Sequence, residues 1–303
     1  MRSPAGMALI AAGAFLAGLA LLLPGYVVRA LTAAPADLRT TFLIRADDAT
    51  VLDSAYGRLH RGVEVEAISA LEGDADAASG DTVVWNNATL LRQGDLTLGY
   101  TERRSAFDRF SGESVNCCEA HVGDLSVVRQ AGLAFKWPAF TQPRAYPFFD
   151  TVTRSALPME YGGSEEIDGL LVYRFVQQVP ETRTEAVPGG VADTKGRRRP
   201  AHTRVELERT FWVEPVTGTP VRLAERRRHT IVTDDGALRQ LSLEADLVSA
   251  PEEVAGRVAE VRDKVGVLRL LDRPELRWSL TGAGVLAIGL GVVLALRRRR
   301  PVR

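Results

Sequence analysis

The residues equipped for chemistry are few and widely spread. Cys117 and Cys118 are adjacent and are the only cysteines of the 303-residue chain, with His121 three positions further on. Two thiolates and an imidazole begin a zinc site, but such a site needs four ligands at hairpin or helical spacing. His60, His202 and His229 stand far from the group in sequence, so no metal site is expected. The same cysteines invite redox chemistry wherever the compartment is oxidising. Consecutive α-carbons lie about 3.8 Å apart, less than the roughly 4.4–6.8 Å of an ordinary disulfide, so a bond between Cys117 and Cys118 would be strained. A vicinal disulfide acting as a structural turn, an intermolecular bridge and two reduced thiols all remain open.

Two further groups carry charge. Asp74 and Asp76, followed by Ser79 and Gly80, have the start of a calcium loop but lack its third oxygen ligand and closing glutamate, which leaves a surface loop. Arg197, Arg198 and Arg199 could meet an anionic lipid or another polyanion, although such runs are usually solvated surface. The chain has no Gly-x-Ser-x-Gly, no His-Glu-x-x-His, no phosphate-cradling glycine loop and no dinucleotide fingerprint. No catalytic residue and no cofactor are expected, and the reading is not an enzyme. With 38 basic and 38 acidic residues, no global charge favours nucleic acid as a partner.

The elements that position these residues are set by two uncharged stretches. Residues 278–296 run without charge from Trp278 to the edge of Arg297, Arg298, Arg299 and Arg300. About 19 residues come close to the roughly 20 that cross a hydrocarbon core as a helix. Indole favours the headgroup layer and arginines resist translocation, so the basic residues 297–303 are expected in the cytoplasm. Residues 5–28 form a second uncharged run, interrupted only by Pro24. Ala34-Pro35-Ala36 offers a signal-peptidase pattern, but the run suits an uncleaved anchor better, with residues 1–4 inside and Pro24-Gly25 breaking the helix as it leaves the lipid.

Between these spans, residues 29–250 read as an extracytoplasmic, mainly antiparallel β domain, giving an α+β fold held by two terminal transmembrane helices. Segments 40–44, 63–70, 82–91 and 96–102 are rich in Val, Thr, Ile and Leu, and 204–213, 220–233 and 237–248 form three hairpin-linked strands with Asp235-Gly236 at one turn. Residues 182–202 read as a solvated loop. Val254, Val258, Val261, Val265 and Leu268 recur at helical spacing over residues 251–273, an amphipathic stalk with Ser249 and Glu252 as its capping box.

Trp137-Pro138, Tyr146-Pro147-Phe148-Phe149-Asp150, Glu165-Glu166-Ile167-Asp168-Gly169-Leu170, Val172-Tyr173-Arg174-Phe175 and Glu214-Pro215-Val216-Thr217-Gly218, in this order between two spans, resemble the actinobacterial porin PorA family, long catalogued as a domain of unknown function. The resemblance implies a cell-envelope membrane protein with a channel-forming label and brings no catalytic residues. From the residues themselves, the aromatic cluster is a core patch around proline-fixed turns. Strands carrying Arg, Glu and His do not suit a lipid-embedded barrel. A channel would need oligomerised helices, for which Ala283, Ala287, Gly291 and Ala295 make a small-residue stripe, while packing within the chain against Gly13, Ala14, Ala17 and Gly18 is the preferred reading. In layout alone the chain also resembles class B scavenger receptors, which implies binding or transfer of envelope lipids or another hydrophobic ligand as the first functional reading and channel formation as its alternative.

The anchor reading predicts that mature protein keeps Met1 or Arg2 at its N-terminus. Intact mass from native membranes checks this, and an N-terminus at Asp37 would refute it.

Overall fold

The computed structural model describes residues 4–53, 57–124, 128–192 and 195–297. The chain divides into a helical unit, built from residues up to 33 and from 262 onward, and a β unit of residues 34–261.

In the helical unit, α1 (Pro4–Leu22) passes through a π-helical turn (Leu23–Val27) into the short α2 (Val28–Thr32). The expected break at Pro24-Gly25 is therefore corrected. Proline lacks the N–H that continues the helical ladder, and one widened turn accommodates this without ending the helix. At the other end α3 (Pro251–Leu271) leads to α4 (Pro274–Arg297), with Pro274 opening the second helix at the place where proline's missing N–H costs nothing.

The β unit contains β1 (Arg39–Asp53), β2 (Arg58–Gly73), β3 (Thr82–Gln93), β4 (Leu96–Asp108), β5 (Ser114–Val115), β6 (His121–Val122), β7 (Tyr146–Asp150), β8 (Ser155–Ile167), β9 (Leu170–Ala186), β10 (Val191–Ala192), β11 (Arg198–Arg199), β12 (Ala201–Glu214), β13 (Thr219–Thr233) and β14 (Arg239–Ser249). Twelve of these make one antiparallel sheet in the order β5-β4-β3-β2-β1-β14-β13-β12-β9-β8-β7, with β6 also on β4, while β10 and β11 pair separately. The first long strand thus lies beside the last, Ile44 opposite Ser249. Asp168 and Gly169, both at positive φ, make the two-residue turn between β8 and β9 that matches the right-handed twist of its strands.

The sheet curls until its ends meet. The Ser114 N–H donates to the carbonyl of Gly132, the Leu133 N–H to that of Pro147, and the Phe149 N–H to that of Leu133. Leu133 thereby bridges the β5 side and β7, and supplies partners for edge groups that burial would otherwise leave unpaired. Gly132 sits at φ 71°, and any side chain there would strike Pro147's carbonyl. Beyond this seam, Trp137, Phe140 and Thr141 donate their N–H groups to Gly218, Val216 and Pro215 in the β12–β13 turn.

Side chains fill the interior. Trp137 stacks on Phe148 and Phe175 with centroids 5.2 and 5.4 Å away and meets Phe211 edge-on. Ile44, Ala46, Val51, Val65, Leu243 and Leu247 form a separate aliphatic cluster. Charge is buried as well. Arg209 donates Nε to Glu225 at 2.5 Å and Nη1 to Gln177 at 3.1 Å, and reaches Asp150 at 3.5 Å. Burial raises the pKa of Glu225, but Arg227 and Arg209 outweigh it and hold the carboxylate at about 2. Burial pushes Arg103 down to about 9, with Arg209 adding to the effect and Asp150 opposing it, so the guanidinium keeps its proton at neutral pH.

Other boundaries and roles differ from expectation. β1 and β4 extend well past residues 44 and 102, and β7, β8 and β9 were not read as separate strands. The expected loop 182–202 carries the end of β9, the β10–β11 ribbon and the start of β12, because its polar side chains flank a paired backbone. Ser249 does not cap α3, since its hydroxyl is engaged with Leu223 on β13.

His229 provides a test of this interior. Its pKa falls from 6.5 to about 4, chiefly through burial and then through Arg227, with Glu225 opposing. Its cross-strand neighbours are Val205 and Leu243, which offer no charge. A depressed histidine pKa means that the unfolded chain binds the proton first, so stability is full above about pH 6.5 and declines toward pH 4. Denaturation in detergent should show about 2 kcal/mol less stability at pH 5 than at pH 7.5, and His229→Gln should remove most of that difference.

Candidate functional site: a paired-helix anchor

Glycine at a seven-residue spacing returns to one face of a helix after two turns. α1 has Gly6 and Gly13 at that spacing, and α4 has Gly284 and Gly291. They meet reciprocally. A side-chain carbon on Gly6 would lie 2.8 Å from the Gly291 carbonyl, and one on Gly291 would lie 2.6 Å from that of Gly6. Gly13 and Gly284 face each other in the same way at 2.5 and 2.8 Å. Backbone touches backbone at both points, which helices reach only where no side chain intervenes. Gly6 beside Gly291 and Gly13 beside Gly284 make the pair antiparallel.

The stripe expected on α4 is met in its second half only. Gly284, Ile288, Gly291 and Ala295 face α1, whereas Ala283 is exposed and Gly18 has open space around it. Gly291 and Ala295 lie where the expected stripe put them, but a strict four-residue spacing drifts off a face that repeats every 3.6 residues, so Gly284 stands in the place expected for Ala283.

The outward face is apolar. Phe15, Leu21, Leu286, Leu290 and Leu296 are all more than half exposed, an arrangement that water penalises and hydrocarbon accepts. Both helices are long and apolar enough to cross a membrane. Thr281 returns its hydroxyl proton to the Arg277 carbonyl and Ser279 to that of Leu276, so neither hydroxyl needs an outside partner. Trp278 lies near the start of α4 and is 76% exposed. Tyr26, 69% exposed beyond α1, lies toward the same end of the pair and gives it a second aromatic group. Tyr26 falls inside the uncharged run 5–28, where nothing in the sequence marks it off from the other apolar residues. Arg297 is the last residue of α4, and Arg298, Arg299 and Arg300 lie outside the described residues.

The other candidates do not assemble into one site. Cys117 and Cys118 are bonded to each other, so neither offers a thiolate to His121, whose Nδ1 contacts the Glu119 carbonyl. Asp74 accepts from the Ala77 N–H and pairs with Arg104 at 2.7 Å, an arrangement that holds its carboxylate below the usual range, first through the Arg104 hydrogen bond. His60 lies 3.6 Å from Asp53, and His202 meets Asp234 at 2.8 Å. Arg199 pairs with Asp235 and Arg198 donates to the Gly190 carbonyl, so these two arginines serve the local ribbon. Two open surface depressions accompany them: one of about 180 Å³ bounded by Glu208, Thr210, Arg226 and Asp246, and one of about 350 Å³ bounded by Asp37, Arg39, Glu72 and Asp76. Ala224, Leu247 and Val248 line part of the first beside these polar groups, and the second is bounded mainly by charged and polar residues, so neither is the enclosed cavity that buries a hydrophobic ligand.

Comparison with known proteins agrees with these features. A curated relative named Porin PorA, from Corynebacterium resistens strain DSM 45100, is 24% identical over a match covering 61% of this chain and 60% of the relative. The chain thus matches about three fifths of that relative's length. The model of the family described as Porin PorA matches residues 5–293, the whole β unit and all but the outer ends of α1 and α4, and the chain belongs to that family.

Proposed function

We propose that the protein is a cell-envelope protein anchored by two antiparallel membrane spans, with both termini in the cytoplasm and the β unit outside, where it acts as a rigid water-facing module. The reciprocal glycine contact carries this reading. It brings the start of α1 and the end of α4 to one end of a self-contained helix pair and turns the large apolar side chains outward, toward membrane lipid. Membrane lipid is accordingly the partner, met by the helices.

A hydrophobic ligand inside the β unit receives less support, because Trp137, Phe149, Phe175, Leu207 and Gln177 fill that space. The relative's name, porin, favours a second reading in which several copies assemble into a channel. The β unit would not form its wall in lipid, since Glu206, Arg226, Arg228 and Asp246 project from β12, β13 and β14 into solvent. Gly6, Gly13, Gly284 and Gly291 are engaged within one chain, so an assembly would have to use Gly282 and Gly289, which are also seven residues apart and have open space around them.

Two measurements separate these readings. In intact cells an impermeant maleimide should label Gly189→Cys, and should reach Arg303→Cys only after permeabilisation; labelling of the C-terminus in unbroken cells would refute the topology. Full-length protein from native membranes should crosslink as a monomer and show no conductance in planar bilayers. Gly291→Leu should loosen the helix pair, exposing α4 to protease, while the β unit keeps its fold. Reproducible wild-type channels that vanish together with an oligomer in Gly291→Leu would establish the porin reading instead.

A further inference from the structure

The Cys117–Cys118 pair lies in the turn between β5 and β6, the two short strands that both pair with β4. Cys118 and the following Glu119 have φ of 60° and 62°, a region that disfavours two consecutive residues carrying side chains. Something must hold them there. The Cys117 N–H donates to the Val115 carbonyl at 3.1 Å, and Arg104 Nε donates to the Cys118 carbonyl at 2.9 Å. Both cysteines are partly exposed, so a small reductant can approach them.

The turn is connected to the seam that closes the sheet. Asn116, immediately before Cys117, exchanges two hydrogen bonds with the backbone of Gln130: its Nδ2 donates to the Gln130 carbonyl at 2.9 Å, and its Oδ1 accepts from the Gln130 N–H at 2.8 Å. The Gln130 side chain is buried and donates to the Arg104 carbonyl at 2.8 Å. Two residues later come Gly132 and Leu133, which join Ser114 to Pro147 and Phe149. A change at the cysteines therefore has a short covalent and hydrogen-bonded route to the seam.

We infer that the Cys117–Cys118 disulfide is a redox latch on the closure of the β unit: oxidised, it holds the 116–119 turn and through Asn116 and Gln130 secures the seam; reduced, it lets the seam open locally. The reductant belongs to the dithiol class. One of its thiolates attacks a cysteine sulfur and breaks the protein S–S bond, and the departing cysteine thiolate takes up a proton. The second reductant thiol then displaces the remaining cysteine, leaving two protein thiols and one disulfide in the reductant. Two electrons pass to the protein, and the two protons given up by the dithiol balance the two gained by the cysteines.

The test is hydrogen exchange by mass spectrometry on the full chain in detergent, with and without dithiothreitol, and alkylation to count free thiols. Reduction should speed exchange at Ser114, Leu133 and Phe149 by about tenfold or more, as expected of local opening, and reoxidation should restore protection. A Cys117→Ser/Cys118→Ser variant should exchange fast at the seam whether or not the dithiol is present. Asn116→Ala should still gain two thiols on reduction, but its seam exchange should no longer follow the redox state. The inference is overturned if dithiothreitol leaves the cysteines unreduced, or if reduction speeds exchange only within residues 116–120. Should the double variant fail to fold, reversible reduction of the wild type decides the matter alone.

Discussion

The backbone hydrogen bonds of Gly132 and Leu133 are the constraint on which the β unit rests. An open antiparallel sheet of this length would present two unpaired edges, and unpaired edges invite association with other chains. Here one short segment supplies partners to both ends. That solution dictates other choices. Gly132 must lack a side chain to approach Pro147, Gly112 must lack one to approach the carbonyl of Lys136, and Gly218 must lack one beside Trp137. Three glycines at positive φ thus seat a single stretch of chain, and the aromatic cluster packs directly behind it.

The residues that mark the family resemblance find a shared purpose here. Trp137, Tyr146, Phe148 and Phe175 form one cluster, and Glu214 accepts from the N–H groups of Val216 and Thr217 to shape the turn that receives Trp137. Glu165 accepts from the indole of Trp212. These contacts are structural. In this chain the motifs build the closure of a sheet and reveal no reaction.

How much of this was legible depended on whether inward positions were apolar. The two uncharged helices and the stripe Val254, Val258, Val261, Val265 and Leu268 were readable because each is uniformly or periodically hydrophobic, and all five stripe residues are buried. β13 was readable from its hairpin turns rather than from its pattern, since Glu225, Arg227 and His229 occupy inward positions that alternation assigns to apolar residues. The buried ion group could not be foreseen, because Asp150, Gln177, Arg209 and Glu225 come from four strands and meet only once the sheet has curled. The seam left no periodic signal, only Gly132 in an irregular stretch. The first half of the α4 stripe required a partner helix to define it, since only Gly291 and Ala295 of the expected residues face α1.

The pairing of the first helix with the last, and of β1 with β14, also fixes when the molecule can mature. The contact of Gly6 with Gly291 waits until α4 has been made, and β1 has an open side until β14 arrives. Both closures span almost the full length of their units, so neither can form during synthesis of the intervening chain. α1 must wait in its surroundings with its glycine face uncovered. A nascent chain arrested before α4 would leave both the helix face and the sheet edge open, and it is in that interval, rather than in the finished protein, that the chain is most exposed to wrong partners.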